Sequence, residues 1–197
     1  MNFLEGIDRS LVLFINGMNH PIMDEIMWQI SSKALWVPMY IFLFYIIYRK
    51  IQLKNAIIVS LMIVATVGLA DFISVALIKE QVQRYRPSHH AELIEQLHFY
   101  HLGGGHTYQG GMYGFVSSHA TNFFALAMIF TLMFKKTYTK TSYVLFIVAV
   151  VTSYSRIYLG VHYASDLLGG AILGITVAYT LYRFIWKRIG AGMNFDS

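Results

Sequence analysis

Eight residues of this chain have the types and spacing to act on a phosphate. Lys79 and Arg86 stand seven apart, with Pro87 directly after; Ser117, Ser118 and His119 are consecutive; Arg156, His162 and Asp166 complete the set. Guanidinium forks grip phosphate oxygens in pairs, and lysine adds a point charge. Helix starts at the serines and at His162 would add unpaired N–H groups and positive dipole ends. Of two imidazoles, one can attack and one can donate a proton. On a continuing helix the step from Lys79 to Arg86 is almost two turns, so both cations share one face and Pro87 stops the helix. His162 and Asp166 are i and i+4 at the start of a helix, which predicts stacked neighbours. Singly, a terminal Arg or Lys is a snorkelling anchor, and a lone His is a polar interfacial residue. Gathered on one membrane face, the eight form an anion site, and phosphate fits it best.

Such a gathering needs elements that all end on one face. The chain has 197 residues, of which 56% are hydrophobic and only 13% charged, and its mean hydropathy is +0.52. These figures exclude a disordered chain, a coiled coil and a nucleic-acid tail. There is no cysteine, hence no disulfide framework and no thiolate metal site. Five apolar stretches stand out. Residues 34–48 carry no charge between Lys33 and Arg49; 55–78 hold only Asp71; 117–134 and 141–155 hold none; 161–182 hold only Asp166. About 20 residues cross the ~30 Å hydrocarbon layer. The pattern predicts an all-α integral membrane bundle of about five transmembrane helices, the shortest relying on flanking basic side chains that snorkel.

Residues 1–32 differ. They are broken at Asn16-Gly17, Asn19-His20-Pro21 and Asp24-Glu25, while Leu11, Phe14 and Ile15, then Ile22, Ile26 and Ile30, keep helical spacing. This predicts two short amphipathic helices lying in the interface, joined at 17–21. The segment lacks the basic start and small-residue cleavage site of a signal peptide. The expected organisation is 1–32 as interfacial helices, 33–189 as the bundle with an outer loop 84–116, and 190–197 as a cytoplasmic tail.

Alternating loops place nine of the 15 basic residues on one side: Arg49, Lys50, Lys54, Lys135, Lys136, Lys140, Arg183, Lys187 and Arg188. Six fall on the other: Arg9, Lys33, Lys79, Arg84, Arg86 and Arg156. Of the acids outside the spans, Asp196 alone joins the first group. The first side is therefore expected to be cytoplasmic. The eight phosphate-directed residues and the N-terminus then face away from the cytoplasm.

Other features carry less. Asp71 is costly in lipid, so it should face the bundle and be paired; it is left outside the site. The five histidines of the long loop (His89, His90, His98, His101, His106) lack a metal-ligand pattern, and head-group contact or solvation is expected instead of zinc. Gly170 and Gly174 suggest close helix packing. Trp28, Trp36 and Trp186 are expected in the interfacial belts.

The order Lys79-x6-Arg86-Pro87, Ser117-Ser118-His119, Ser155-Arg156-x5-His162-x3-Asp166 resembles the three-part signature of the type 2 phosphatidic acid phosphatase superfamily, over roughly 33–187. The resemblance implies that His162 attacks phosphorus to give a phosphohistidine. Asp166 would orient its imidazole, and His119 would protonate the leaving oxygen and then activate water. Lys79, Arg86 and Arg156 would clamp the phosphoryl oxygens, with Ser117 and the N–H of Ser118 completing the cradle. No cofactor or metal is implied, because the cations take that part. One departure exists: the family's Pro-Ser-Gly-His is here Val116-Ser117-Ser118-His119. The family glycine lets backbone approach phosphate, and a serine puts a side chain there.

The expected function is thus a lipid phosphatase of a bacterial inner membrane, acting on a phosphate monoester or diphosphate at the outer, periplasmic leaflet. Its partners are the lipid phosphate and surrounding membrane lipids, not nucleic acid; oligomeric state is left open. Undecaprenyl diphosphate is the first choice, with lipid A phosphate and phosphatidylglycerol phosphate as rivals. A phosphotransferase with the same intermediate is the alternative, and a non-enzymatic transporter or scaffold stands last.

Overall fold

The computed structural model of the chain describes residues 3–190. The expected tail, including Asp196, lies outside the described residues apart from Gly190. Two N-terminal helices form as expected: α1 (Phe3–Gly17) and α2 (Pro21–Ser31). Pro21 suits the first helical turn, where its missing N–H costs nothing, and the His20 ring accepts from the N–H of Ile22.

A short turn then leads into α3 (Val37–Lys50), which is bent 67° from α2. The predicted 34–48 span is therefore a 14-residue α-helix entered through a tight 3₁₀ turn at Ala34–Trp36. At 1.5 Å per residue it reaches only about 21 Å. Only together with α2 is it long and apolar enough to cross, and the bend between them suits a broken span or a re-entrant loop. Next come α4 (Leu53–Val82), α5 (Ser118–Phe134), α6 (Thr139–Tyr158) and α7 (Ala164–Ile189). Among the described residues, α4, α6 and α7 are each long and apolar enough to cross a membrane, and α5 is shorter. The chain is a multi-pass helical membrane protein.

Helix α5 is the centre of the bundle. Ala120, Ala125, Ala127, Ile129 and Phe130 are all completely buried on it. Within lipid there is little hydrophobic drive between helices, so close packing has to hold them. The glycines of α7 allow it. A Cβ at Gly174 would sit 2.2 Å from the carbonyl oxygen of Thr121, and one at Gly170 would sit 2.6 Å from that of Ser117. This approach brings the first turns of α5 and α7 together. Ile47, Val59, Phe130 and Phe134 fill the far end of the bundle.

The three tryptophans are half-buried and each has a partner within the protein. Trp186 donates to Thr66 Oγ1 at 2.9 Å inside the bundle. Trp36 donates to the Ile30 carbonyl and meets Phe123 edge-on. Trp28 stacks on Tyr100, with ring centroids 4.8 Å apart. Each indole has an acceptor or a partner ring within the protein while keeping part of its surface exposed, as a residue near a helix end in the interface does.

The long loop folds back onto the N-terminal helices. It contains a small hairpin, β1 (His101–Gly103) with β2 (His106–Thr107). Side chains tie it to the N-terminal helices. Asn16 bonds both the carbonyl and the N–H of His98 at 2.8 Å, His98 pairs with Asp24 at 2.8 Å, and Tyr100 donates to Glu25 at 2.6 Å. Two of the loop histidines are thus spent on structural contacts, since His90 also meets Arg9 at 2.9 Å.

Candidate active site

The start of α7 sets the chemistry. Asp166, its third residue, turns its carboxylate back over the helix start. Oδ2 accepts from the N–H of Tyr163 at 3.0 Å and from His162 Nδ1 at 3.3 Å. His162 lies in the turn before the helix, so the expected stacking along one helix face is corrected. The pairing comes from the capping geometry of a first-turn acid. With Nδ1–H given to the carboxylate, Nε2 keeps its lone pair.

His162 is 1% exposed. Burial, then the nearby charges of Arg86, Arg156 and Lys79, hold its pKa well below the ordinary value. The ring is therefore neutral at neutral pH, the form a nucleophile needs. Arg86, Arg156 and Lys79 are near enough to His162 for their charges to act on its ring.

Each cation arrives differently. The continuous helix expected from Lys79 to Arg86 does not form: α4 ends at Val82, where Gln83 adopts left-handed backbone (φ 49°). Arg86 is extended, its N–H bonded to the Met112 carbonyl at 3.1 Å. Pro87 therefore begins a separate short turn, Pro87–His89, and does not stop the helix. Arg86 Nε donates to the Tyr113 carbonyl at 3.0 Å and Nη1 to that of Val161 at 3.3 Å. Burial, then repulsion from Arg156, pushes its pKa down to about 10, so it remains a cation at neutral pH. Gly110 (φ +70°) packs against the guanidinium; a Cβ there would lie 2.8 Å from Nη1.

Lys79 sits at the end of a wider-wound stretch, Ile73–Lys79, within α4. Such a stretch adds a residue to the turn and re-aims the side chains beyond it. Nζ of Lys79 donates to Ser118 Oγ at 3.3 Å, and Ser74 Oγ lies 3.1 Å from the same oxygen. Arg156 is 2% exposed; Nη1 donates to Ser31 Oγ and Nη2 to Tyr108 OH at 2.7 Å. Its Nε and the Ser117 hydroxyl are buried without a protein partner. Buried donors of this kind call for an acceptor, which phosphate oxygens supply. The N–H of Ser117 donates to the Asp166 carbonyl at 3.0 Å, joining the second and third motifs.

His119 gives its Nε2–H to the Ser31 carbonyl at 3.1 Å, which leaves Nδ1 free. It lines a cavity of about 440 Å³ with Lys33, Trp36, Tyr40, Asp71 and Asn122. Asp71 is paired as expected: Asn122 Nδ2 donates to it at 2.8 Å. It nevertheless lies on the wall of this cavity and is closer to the site than its mid-span position suggested.

Sequence reading missed three neighbours. Arg84 Nη1 donates to Asp166 Oδ1 at 2.9 Å. It stands two before Arg86 in extended backbone, so alternation could have flagged it. Ser31 and Tyr108 touch Arg156 from distant segments, and nothing in the sequence marks them. Among the described residues no three His, Asp or Glu side chains gather as metal ligands.

A model of the PAP2 superfamily matches residues 59–190. The chain is 35% identical over 191 residues to a lipid A 4'-phosphatase of Porphyromonas gingivalis, spanning 95% of this chain and 77% of that protein. It is 36% identical over 197 residues to a lipid A 4'-phosphatase of Bacteroides thetaiotaomicron, spanning 100% of this chain and 84% of the relative. Among solved structures, Aquifex aeolicus LpxE matches with a TM-score of 0.69 at 22% identity, covering 93% of this chain and 100% of that one.

Proposed function

The chain belongs to the PAP2 superfamily and is a membrane phosphatase, and from that premise we propose a two-step phosphoryl transfer through His162 on a lipid A-type phosphate. The observation that carries the mechanism is the buried His162 imidazole, held at Nδ1 by Asp166, with Arg86, Arg156 and Lys79 near enough for their charges to act on it.

In the first step Nε2 of His162 attacks phosphorus, and the bond from phosphorus to the lipid oxygen breaks. His119 gives a proton to that oxygen, and the lipid leaves as an alcohol. The incoming phosphate's negative charge favours the protonated form of His119 beforehand. In the second step His119 takes a proton from water, the hydroxide attacks phosphorus, and the P–N bond breaks to release inorganic phosphate. Asp166 stabilises the imidazolium that forms. The cations and the N–H groups at the start of α5 stabilise charge on the equatorial oxygens, so the protein supplies what a metal otherwise would.

The substrate reading rests on two supports. Both bacterial relatives that match nearly the whole chain are lipid A 4'-phosphatases. The cavity beside His119 lies where the leaving alcohol belongs, and Asp71 with Asn122 gives it a polar wall able to meet sugar hydroxyls. The phosphate-directed residues themselves are indifferent to the lipid, so undecaprenyl diphosphate and phosphatidylglycerol phosphate are arms of the test. The basic-residue split supports an inner-membrane protein whose site faces the periplasm.

The test is phosphate release by purified protein from these three lipids, with EDTA present and with His162→Ala as control. Preferred release from lipid A phosphate supports the reading. Preferred release from undecaprenyl diphosphate would replace the substrate and keep the mechanism. Transfer to an added alcohol in place of water would make the protein a phosphotransferase.

A further inference from the structure

The turn bearing His162 and Asp166 is braced from the opposite end of the chain. We propose that Asp8, on α1, and Arg84 are positioning residues that act through Asp166; this rests on the reading of His162 as the nucleophile.

Arg84 spans two carboxylates. Its Nη1 donates to Asp166 Oδ1 at 2.9 Å and to Ser165 Oγ at 2.6 Å, while Nη2 donates to Asp8 Oδ2 at 2.8 Å. The guanidinium lies 4.3 Å from the centre of the Tyr163 ring. Asp8 is 4% exposed and also accepts from the N–H of Ser165 at 3.0 Å and from the Ser165 hydroxyl. Ser165 is the second residue of α7, so its N–H has no partner within the helix. An aspartate 157 positions earlier in the sequence caps it.

The consequence lies in the two oxygens of Asp166. Oδ2 holds His162 and the Tyr163 N–H; Oδ1 holds only Arg84 among the bonds described. A carboxylate held at one oxygen can rotate and carry the imidazole with it. Held at both, it fixes the direction of Nε2, and catalysis is sensitive to that direction. Arg84 is in turn fixed by Asp8 at the other end of its fork. The loop closes the arrangement: the N–H of Gly114 donates to the Arg84 carbonyl at 2.8 Å, and a Cβ at Gly114 would sit 2.7 Å from Asp166 Oδ2. Docking of α1 is thereby coupled to the geometry of the dyad.

A purely structural role for Asp8 would only fasten α1 to the bundle. Glu5 serves as the control, because it pairs with Arg9 on the same helix at 2.6 Å and lies outside this network. The experiment measures kcat and KM on one lipid phosphate in mixed micelles, with thermal unfolding in parallel, for wild type, Asp8→Asn, Arg84→Lys and Glu5→Gln. Asp8→Asn and Arg84→Lys should each lose about tenfold to a hundredfold in kcat, the range for a lost hydrogen bond to a charged group. KM should stay within about twofold, because phosphate binding itself is untouched. Glu5→Gln should match wild type. The Asp8→Asn/Arg84→Lys double variant should be no slower than the worse single, since both break one path.

Wild-type kcat in both single variants, a loss confined to KM, or losses that multiply in the double variant would each overturn the proposal. Should Asp8→Asn fail to fold, Arg84→Lys carries the test, because it keeps the charge and loses only the fork. A wild-type protein inert on every lipid phosphate would instead overturn the phosphatase reading beneath it.

Discussion

His162 stands before α7 and Asp166 within its first turn, yet Nδ1 of the one lies 3.3 Å from Oδ2 of the other. The same carboxylate oxygen caps the helix through the Tyr163 N–H. One acid therefore both starts the helix and orients the imidazole. Replacing Asp166 with Asn keeps an acceptor but removes the charge that stabilises an imidazolium. Turnover should fall by about two to four orders of magnitude, the usual worth of acid–base assistance. His162→Ala should abolish it. Initial rates of phosphate release check both, and an active His162→Ala would move the nucleophile elsewhere.

The field around His162 sets its pH behaviour. Burial, then Arg86 and Arg156, depresses its pKa, so the neutral nucleophile persists as pH falls through the ordinary histidine value of about 6.5. The rate of phosphoenzyme formation should show no decline through that value, and loss of the neutral nucleophile should appear only below it. A decline centred near 6.5 in rapid-quench measurements would mean that the cations do not act on this ring.

Ser118 holds the place of the family glycine, and its hydroxyl receives Lys79 Nζ at 3.3 Å. The hydroxyl thus positions a phosphate-binding cation. Ser118→Ala and Ser118→Gly should both lower kcat/KM by about tenfold, as expected for a lost hydrogen bond to a charged group. Wild-type kcat/KM in both variants would show that the serine is only tolerated.

Gly174 is where α7 meets the backbone of α5. A Cβ there would lie 2.2 Å from a carbonyl oxygen, a contact that only helix separation relieves. Gly174→Ala should destabilise the bundle by about 1–3 kcal/mol, read as a lower midpoint of thermal unfolding in detergent. An unchanged midpoint would contradict the close approach.

Leu102, at the hairpin of the long loop, and Lys135, just after α5, are both exposed, and the expected topology puts them on opposite membrane faces. With no native cysteine, Leu102→Cys should react with an impermeant maleimide in intact spheroplasts and Lys135→Cys should not. The reverse pattern would place the site in the cytoplasm.

Much of this was legible in the sequence. Apolar stretches with at most one charge marked the helices, because lipid penalises unpaired backbone and charge alike. Motif residues from 79 to 166 converge, since alternating spans return their ends to one face. What escaped depends on backbone that side-chain spacing does not encode. The left-handed Gln83 ended α4 before Arg86, and the wider-wound Ile73–Lys79 stretch turned Lys79 toward Ser118. The Asp8–Arg84–Asp166 contacts join segments far apart in the chain, for which one sequence holds no distance information.

The central claim is a covalent intermediate on His162. Purified protein mixed with ³²P-labelled lipid phosphate in EDTA, quenched within the first turnover, should carry acid-labile, alkali-stable label on the peptide containing His162. That label should disappear as inorganic phosphate is released. Phosphate release without label on that peptide, or label on another residue, would contradict the account.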